Sequence, residues 1–228
     1  MASTYTDLGI ELMATGENAG TWGTKTNANL NLIEQLTGGF ATLSIAGGAG
    51  TQALDIDDGA LTGTAQQRII EFTGSITGNR IITIPNDVET FYILKNSTSG
   101  AYTVEFKYVS GSGSSATFSA TDKGIKTVYA SANDGTNPDI VDVMANSSEI
   151  VLANNNPIKF NDADNSAFVG IDAPATVSGS YTLTLPAAVG SASQALVTTD
   201  GAGTLGFTST SSFGITTGKA IAMAIVFG

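Results

Sequence analysis

Between residues 102 and 108 the chain alternates without a break. Tyr102, Val104, Phe106 and Tyr108 are apolar or aromatic, and Thr103, Glu105 and Lys107 between them are polar. Period two is the side-chain period of a β-strand, whose successive Cβ atoms point to opposite faces. A helix would scatter these rings around its circumference, so the segment reads as a strand with an aromatic core face and a polar solvent face. Its neighbours extend the pattern. Residues 80–84 end at Pro85, residues 124–129 end near Asn133-Asp134-Gly135, and 139–143 come next. Phe91-Tyr92-Ile93-Leu94 is apolar on both faces, which predicts a central strand. The connectors at 96–100 and 110–115 are rich in Asn, Ser, Thr and Gly, the turn formers. Strand and turn alternating at intervals of about 8 to 15 residues predict an antiparallel β-sandwich or small barrel over residues 38–148.

Upstream lies one helical pattern. Gly20-Thr21-Trp22-Gly23 reads as a turn, and Thr24 or Thr26 is placed to cap a helix beginning there. Leu30, Leu32, Ile33 and Leu36 recur at roughly helical spacing over residues 27–36, and Gly38-Gly39 supplies a stop. A helix of about three turns is not stable alone, so its apolar face must pack on something. Trp22, the only tryptophan, is the natural candidate for its packing partner or for an interface anchor.

Residues 149–228 have a different texture. Short strands are predicted at 150–152, 158–160, 168–171, 181–185 and 195–197, separated by small residues. So few large apolar side chains over this length leave one chain short of a core. The segment is either disordered or takes its core from copies of itself, and the alternation at 181–185 with the apolar run at 220–227 favours shared burial. Ile221, Met223, Ile225 and Phe227 in that run are the expected seam between chains.

Composition excludes familiar chemistry. The chain has no Cys and no His, hence no thiolate nucleophile, no Cys-based zinc site and no imidazole base. Serine is common, but no G-x-S-x-G elbow and no phosphate-binding loop occurs. Asp55-Ile56-Asp57-Asp58-Gly59 and Asp162-Ala163-Asp164-Asn165 are oxygen-rich, yet position twelve of a calcium loop falls on Gln66 and Ala173 where a Glu is required. Both read as solvated turns, and no metal or cofactor is expected. Paired-carboxylate glycosidase chemistry would need two of Glu71, Glu89 and Glu105, all on predicted strands, to face one cleft. Nine basic against twenty acidic residues, with the basic ones scattered, argue against nucleic acid. The first residues lack a basic and an apolar region, so no secretory signal is expected. The apolar run at 220–227 is far short of the roughly 20 residues that span a bilayer, and no membrane insertion is expected.

Residues 9–33, with Gly-Thr-Trp-Gly at 20–23 ahead of an Asn-rich helix, resemble the amino-terminal segment of tail-fibre-like virion proteins of tailed phages, marine ones especially. Residues 100–106 with 133–137, and 160–170 with 173–177, 181–186 and 199–205, resemble pieces common in such fibres. The resemblance covers well over half the chain and contains no catalytic motif. It implies a non-enzymatic virion component, a homotrimeric short tail fibre with one end on the particle. A capsid decoration or head-fibre protein is the alternative, and a glycan-cleaving tailspike the second. Residues 1–37 would attach to tail, adaptor or capsid proteins through Trp22, Asn27, Asn29, Leu30 and Ile33. Residues 38–148 would form the β module and 149–228 the trimerisation region, with a host surface glycan or receptor as a further partner.

Overall fold

The computed structural model describes residues 2–152 and 156–213. They fall into two units, Met1–Ile150 and Val151–Gly228. The first begins with a small hairpin, β1 (Thr4–Tyr5) and β2 (Glu11–Leu12), and the helix α1 (Trp22–Gly38). Strands β3 (Phe40–Ser44), β4 (Gly50–Ala53), β5 (Ile69–Thr73), β6 (Arg80–Ile84), β7 (Thr90–Asn96), β8 (Val104–Tyr108), β9 (Ala116–Phe118), β10 (Ile125–Ala130) and β11 (Ile140–Asp142) come after it. They build two sheets, β11-β10-β7-β5-β3 and β4-β6-β8-β9.

The fold is mainly β with one helix near its N-terminus, and the two sheets enclose one core. The direction of pairing departs from the antiparallel expectation. β3, β5 and β7 are parallel, as are β4, β6 and β8, and only β8–β9, β7–β10 and β10–β11 are antiparallel. The physical reason lies in the connectors. From β3 to β8 each connector crosses to the other sheet instead of folding back, so strands that meet there are next but one in sequence and arrive in the same direction. The corners stack through backbone hydrogen bonds: Gly47 N donates to Ser75 O (3.0 Å) and Ile76 N to Ser99 O (3.0 Å). Such close approach requires glycine. A Cβ at Gly100 (φ +101°) would strike the Ile76 carbonyl oxygen, and one at Gly78 the backbone of Ala49.

Alternation sorts the side chains as expected along β8, where Val104, Phe106 and Tyr108 are buried and Glu105 and Lys107 lie outside. Tyr102 is the exception: it precedes the strand and is exposed. Ile70, Phe72, Ile82, Ile84, Tyr92, Leu94, Phe118, Val128 and Ile140 share the core with Val104, Phe106 and Tyr108. The Tyr92 ring meets Phe106 edge-on at 5.3 Å. Both buried phenols find partners, as buried polar groups must. Tyr92 Oη donates to Ala65 O (2.8 Å), and Tyr108 Oη donates to Val88 O (2.7 Å) and accepts from Ala132 N (2.8 Å). Burial pushes the Tyr108 phenol up to about 12.

α1 starts at Trp22 rather than at residue 27. Thr24 and Thr26, expected as caps, are inside it. The carbonyl of Asn18, at φ 60°, accepts from Thr21 N and Trp22 N (both 2.9 Å), which sets up the first turn earlier than apolar spacing indicates. The stop falls at Gly38 and Gly39 as expected, with Gly39 N donating to Gln35 O (2.8 Å).

The second unit contains two antiparallel hairpins, β12 (Ile158–Asn161) with β13 (Phe168–Ile171) and β14 (Gln194–Thr198) with β15 (Leu205–Ser209). Residues 150–152 are not a strand, and the alternating stretch 181–185 contributes only a parallel bridge at Thr184 to Thr204.

Candidate functional site

The surfaces that stand out are apolar rather than catalytic. The apolar arc of α1 is part buried and part exposed. Leu32 and Leu36, four residues apart, are buried. Trp22, Leu30 and Ile33 lie within about 80° of one another on a helical projection, in the arc next to Leu36. They are 65%, 58% and 44% exposed. Trp22 is therefore not packed beneath the helix, and it stands in an exposed stripe with two of the other expected attachment residues. Asn27 is exposed as well. Asn29 is used inside the unit: its Oδ1 accepts from Glu11 N (2.9 Å) and its Nδ2 donates to Glu11 O (2.8 Å), copying a β-ladder pair.

Glu11 also fixes the N-terminal segment to the helix. Its buried carboxylate meets Lys25 Nζ at 2.9 Å and accepts from Asn18 Nδ2 at 3.2 Å. The hydrogen bond from Lys25 holds the Glu11 carboxyl below its ordinary value, and Glu11 in turn holds Lys25 above its own. Opposite shifts set opposite limits. The Glu11 contribution is present above its unfolded pKa and lost as pH falls through the folded one; that of Lys25 is lost only as pH rises through its raised value. The tie is thus complete at neutral pH and fails in acid. Amide exchange at Glu11, corrected for intrinsic rate, should rise several-fold on acidification to about pH 3. In Glu11→Gln this amide should exchange faster already at pH 7 and show no such acid step. An unchanged rate across pH in the parent chain would show that the ion pair does not hold the segment. Gln66 adds an uncharged tie, its Nε2 donating to Leu8 O at 3.0 Å.

The three candidate glutamates do not form a cleft. Glu71 and Glu105 lie on the outer faces of different sheets, because their neighbours Phe72 and Phe106 point into the core between them. Glu71 is held by Lys95 Nζ (2.8 Å) and Ser97 Oγ (2.6 Å), and the Lys95 hydrogen bond keeps it below the ordinary carboxylate range. Glu89 is in the loop before β7, not on a strand, and accepts from Tyr129 Oη at 2.8 Å. The acidic turns are closed by their own side chains. Asp55 Oδ1 accepts from Thr64 N and Oγ1, and Asp162 and Asp164 both accept from Ser166 N. Among the described residues, no three His, Cys, Asp or Glu are grouped to hold a metal, and no helix is long and apolar enough to cross a membrane. An open groove of about 610 Å³ runs past Glu34, Gln35, Phe40, Leu61 and Gln67 at the end of α1, with one carboxylate in its lining.

The second unit carries a dense set of exposed apolar side chains. In the first hairpin Ile158 faces Ile171 and Phe160 faces Val169, all four on one side. Phe160 is 57% and Val169 72% exposed. The other side carries Lys159, whose Nζ sits 4.4 Å from the centre of the Phe168 ring. In the second hairpin Leu196 faces Phe207, again exposed. Tyr181, Leu183, Leu185 and Val189 are exposed too. Sequence reasoning placed the seam at Ile221, Met223, Ile225 and Phe227, which lie outside the described residues. It missed the hairpin faces, whose signal was the i, i+2 apolar pair Ile158 and Phe160 opposite Val169 and Ile171.

No known protein family, no curated protein and no solved structure matches this chain.

Proposed function

We propose that this chain is a non-catalytic structural component of a tailed-phage virion, a homotrimeric short tail fibre attached by its N-terminal segment. One observation carries the reading: the first hairpin of the second unit leaves a whole apolar face, Ile158, Phe160, Val169 and Ile171, uncovered. Two-stranded hairpins of this kind are marginal in water by themselves. Identical chains around an axis offer each face an identical apolar partner, which closed symmetry makes possible without any other protein. The stripe of Trp22, Leu30 and Ile33 fits the attachment role. Tryptophan in an exposed apolar patch is the kind of anchor that dominates an interface. Glu71 and Glu105 on opposite faces weigh against a glycan-cleaving spike.

The test has two readouts. Solution mass at micromolar concentration should be three times the 23.1 kDa chain. Antibody against the chain should decorate the tail of intact particles, and Trp22→Ala should cut incorporation into particles while leaving the mass unchanged. A stable monomer would overturn the trimer. Decoration of the head would overturn the tail position in favour of a capsid decoration or head-fibre protein.

A further inference from the structure

The two sheets of the Met1–Ile150 unit differ on their outer faces. That of β4-β6-β8-β9 presents Thr51, Glu105, Lys107 and Thr117 around one half-buried isoleucine, Ile81, a mostly polar face. The strand register of the five-stranded sheet gathers Phe40, Ile69 and Ile93 in one row and Phe91, Tyr129 and Val141 in the next. Phe40 and Phe91 are 57% and 51% exposed, and the Phe91 and Tyr129 rings lie 5.1 Å apart. β7, in the middle of this sheet, is apolar on both sides, the pattern of a strand covered on both faces. In one chain only the side bearing Tyr92 and Leu94 is covered.

From this geometry we infer that the outer face of the five-stranded sheet is an interface with a second copy of this chain, in addition to the hairpins of the second unit. Charge supports this occupant. The chain carries a net charge of −11, so copies repel wherever their acids meet. This face is balanced: its one acid and one base, Glu71 and Lys95, pair at 2.8 Å. Its rim adds Glu89, engaged by Tyr129 Oη, and Arg68, whose Nη1 donates to Phe91 O and Thr90 Oγ1. Identical copies approach here without like-charge repulsion and bury apolar rows against each other. The same bonds disfavour a sugar. A glycan platform offers free donors and acceptors beside its rings, and here the charged groups are already occupied by the chain itself.

Because the chain has no cysteine, a single introduced thiol reports on one position. Phe91→Cys and Phe40→Cys probe the face, and Thr117→Cys, exposed on the opposite sheet, is the control. In the full-length protein, maleimide should label positions 91 and 40 at least about tenfold more slowly than position 117, and dilution to monomer should abolish the difference. Phe40 is at the sheet edge, so its variant answers the question even if Phe91→Cys does not fold. Equal labelling in a protein of trimeric mass would overturn this interface and leave the trimer standing. A monomeric mass would overturn both. Free labelling that slows only on adding oligosaccharide would assign the face to a glycan and overturn the second copy.

Discussion

Replacing Phe106 by alanine should lower the unfolding free energy of the Met1–Ile150 unit by about 3–5 kcal/mol, the range for removing a buried ring from a core. Phe106 is fully buried on β8, between the two sheets. It meets Tyr92 edge-on at 5.3 Å and Phe72 at 6.5 Å, so both sheets lose contacts when it goes. The neighbours cannot close the gap cheaply. Tyr92 is held by its hydrogen bond to Ala65 O, and its strand β7 is locked to the parallel strands β5 and β3 through stacked corners. For a domain whose whole stability is about 5–15 kcal/mol, this is a large fraction. Denaturant unfolding of the full chain, followed by the near-ultraviolet signal of the buried tyrosines, measures it. Thr117→Ala, on the outer face, should stay within about 0.5 kcal/mol of the parent. If the two variants unfold at the same midpoint, the core is not where these side chains place it.

The strands at 80–84, 91–94, 102–108 and 124–129 announced themselves in the sequence as apolar or alternating runs bounded by turn formers. β3 and β4 did not, since edge strands need fewer large apolar residues, and Gly50-Thr51-Gln52-Ala53 has none. Pairing direction was not legible either, because it depends on where a connector carries the chain. A trace does remain in the register. Phe40 pairs with Ile69 and Ile69 with Ile93, while Gly50 pairs with Arg80 and Arg80 with Val104. The offsets fall from 29 to 24 in one sheet and from 30 to 24 in the other, so both sheets advance together, one rung at a time. The apolar spacing marked α1 but did not separate Leu32 and Leu36, which are buried, from Leu30 and Ile33, which are exposed, and the early start at Trp22 arises from the Asn18 turn and leaves no apolar signature. At the candidate surface, Trp22, Leu30 and Ile33 could be named from sequence, whereas the use of Asn29 on Glu11 could not, since the partner lies eighteen residues away.

In the proposed trimer, changing Phe160 and Val169 together to aspartate should release monomer at micromolar concentration, with the Met1–Ile150 core intact. The two residues are directly paired across β12 and β13, so both carboxylates enter the middle of one apolar face. Burying each parent side chain between chains is worth roughly 1.5–3 kcal/mol. The variant loses that gain and adds like charges where copies meet, in a chain already at −11. Every 1.4 kcal/mol is about tenfold in the association constant. Even the lower figure, over two positions per chain, therefore weakens assembly by more than about a hundredfold for each chain. Lys159→Ala is the matched control. It removes a cation from the Phe168 ring on the other side of the same hairpin and should leave the mass unchanged. Sedimentation equilibrium reads the mass, and the unfolding midpoint of the buried tyrosines reports whether the first unit is still folded. A double variant that keeps three chains would show that the hairpin face is not between copies, and the trimer would then have to be held by some other surface.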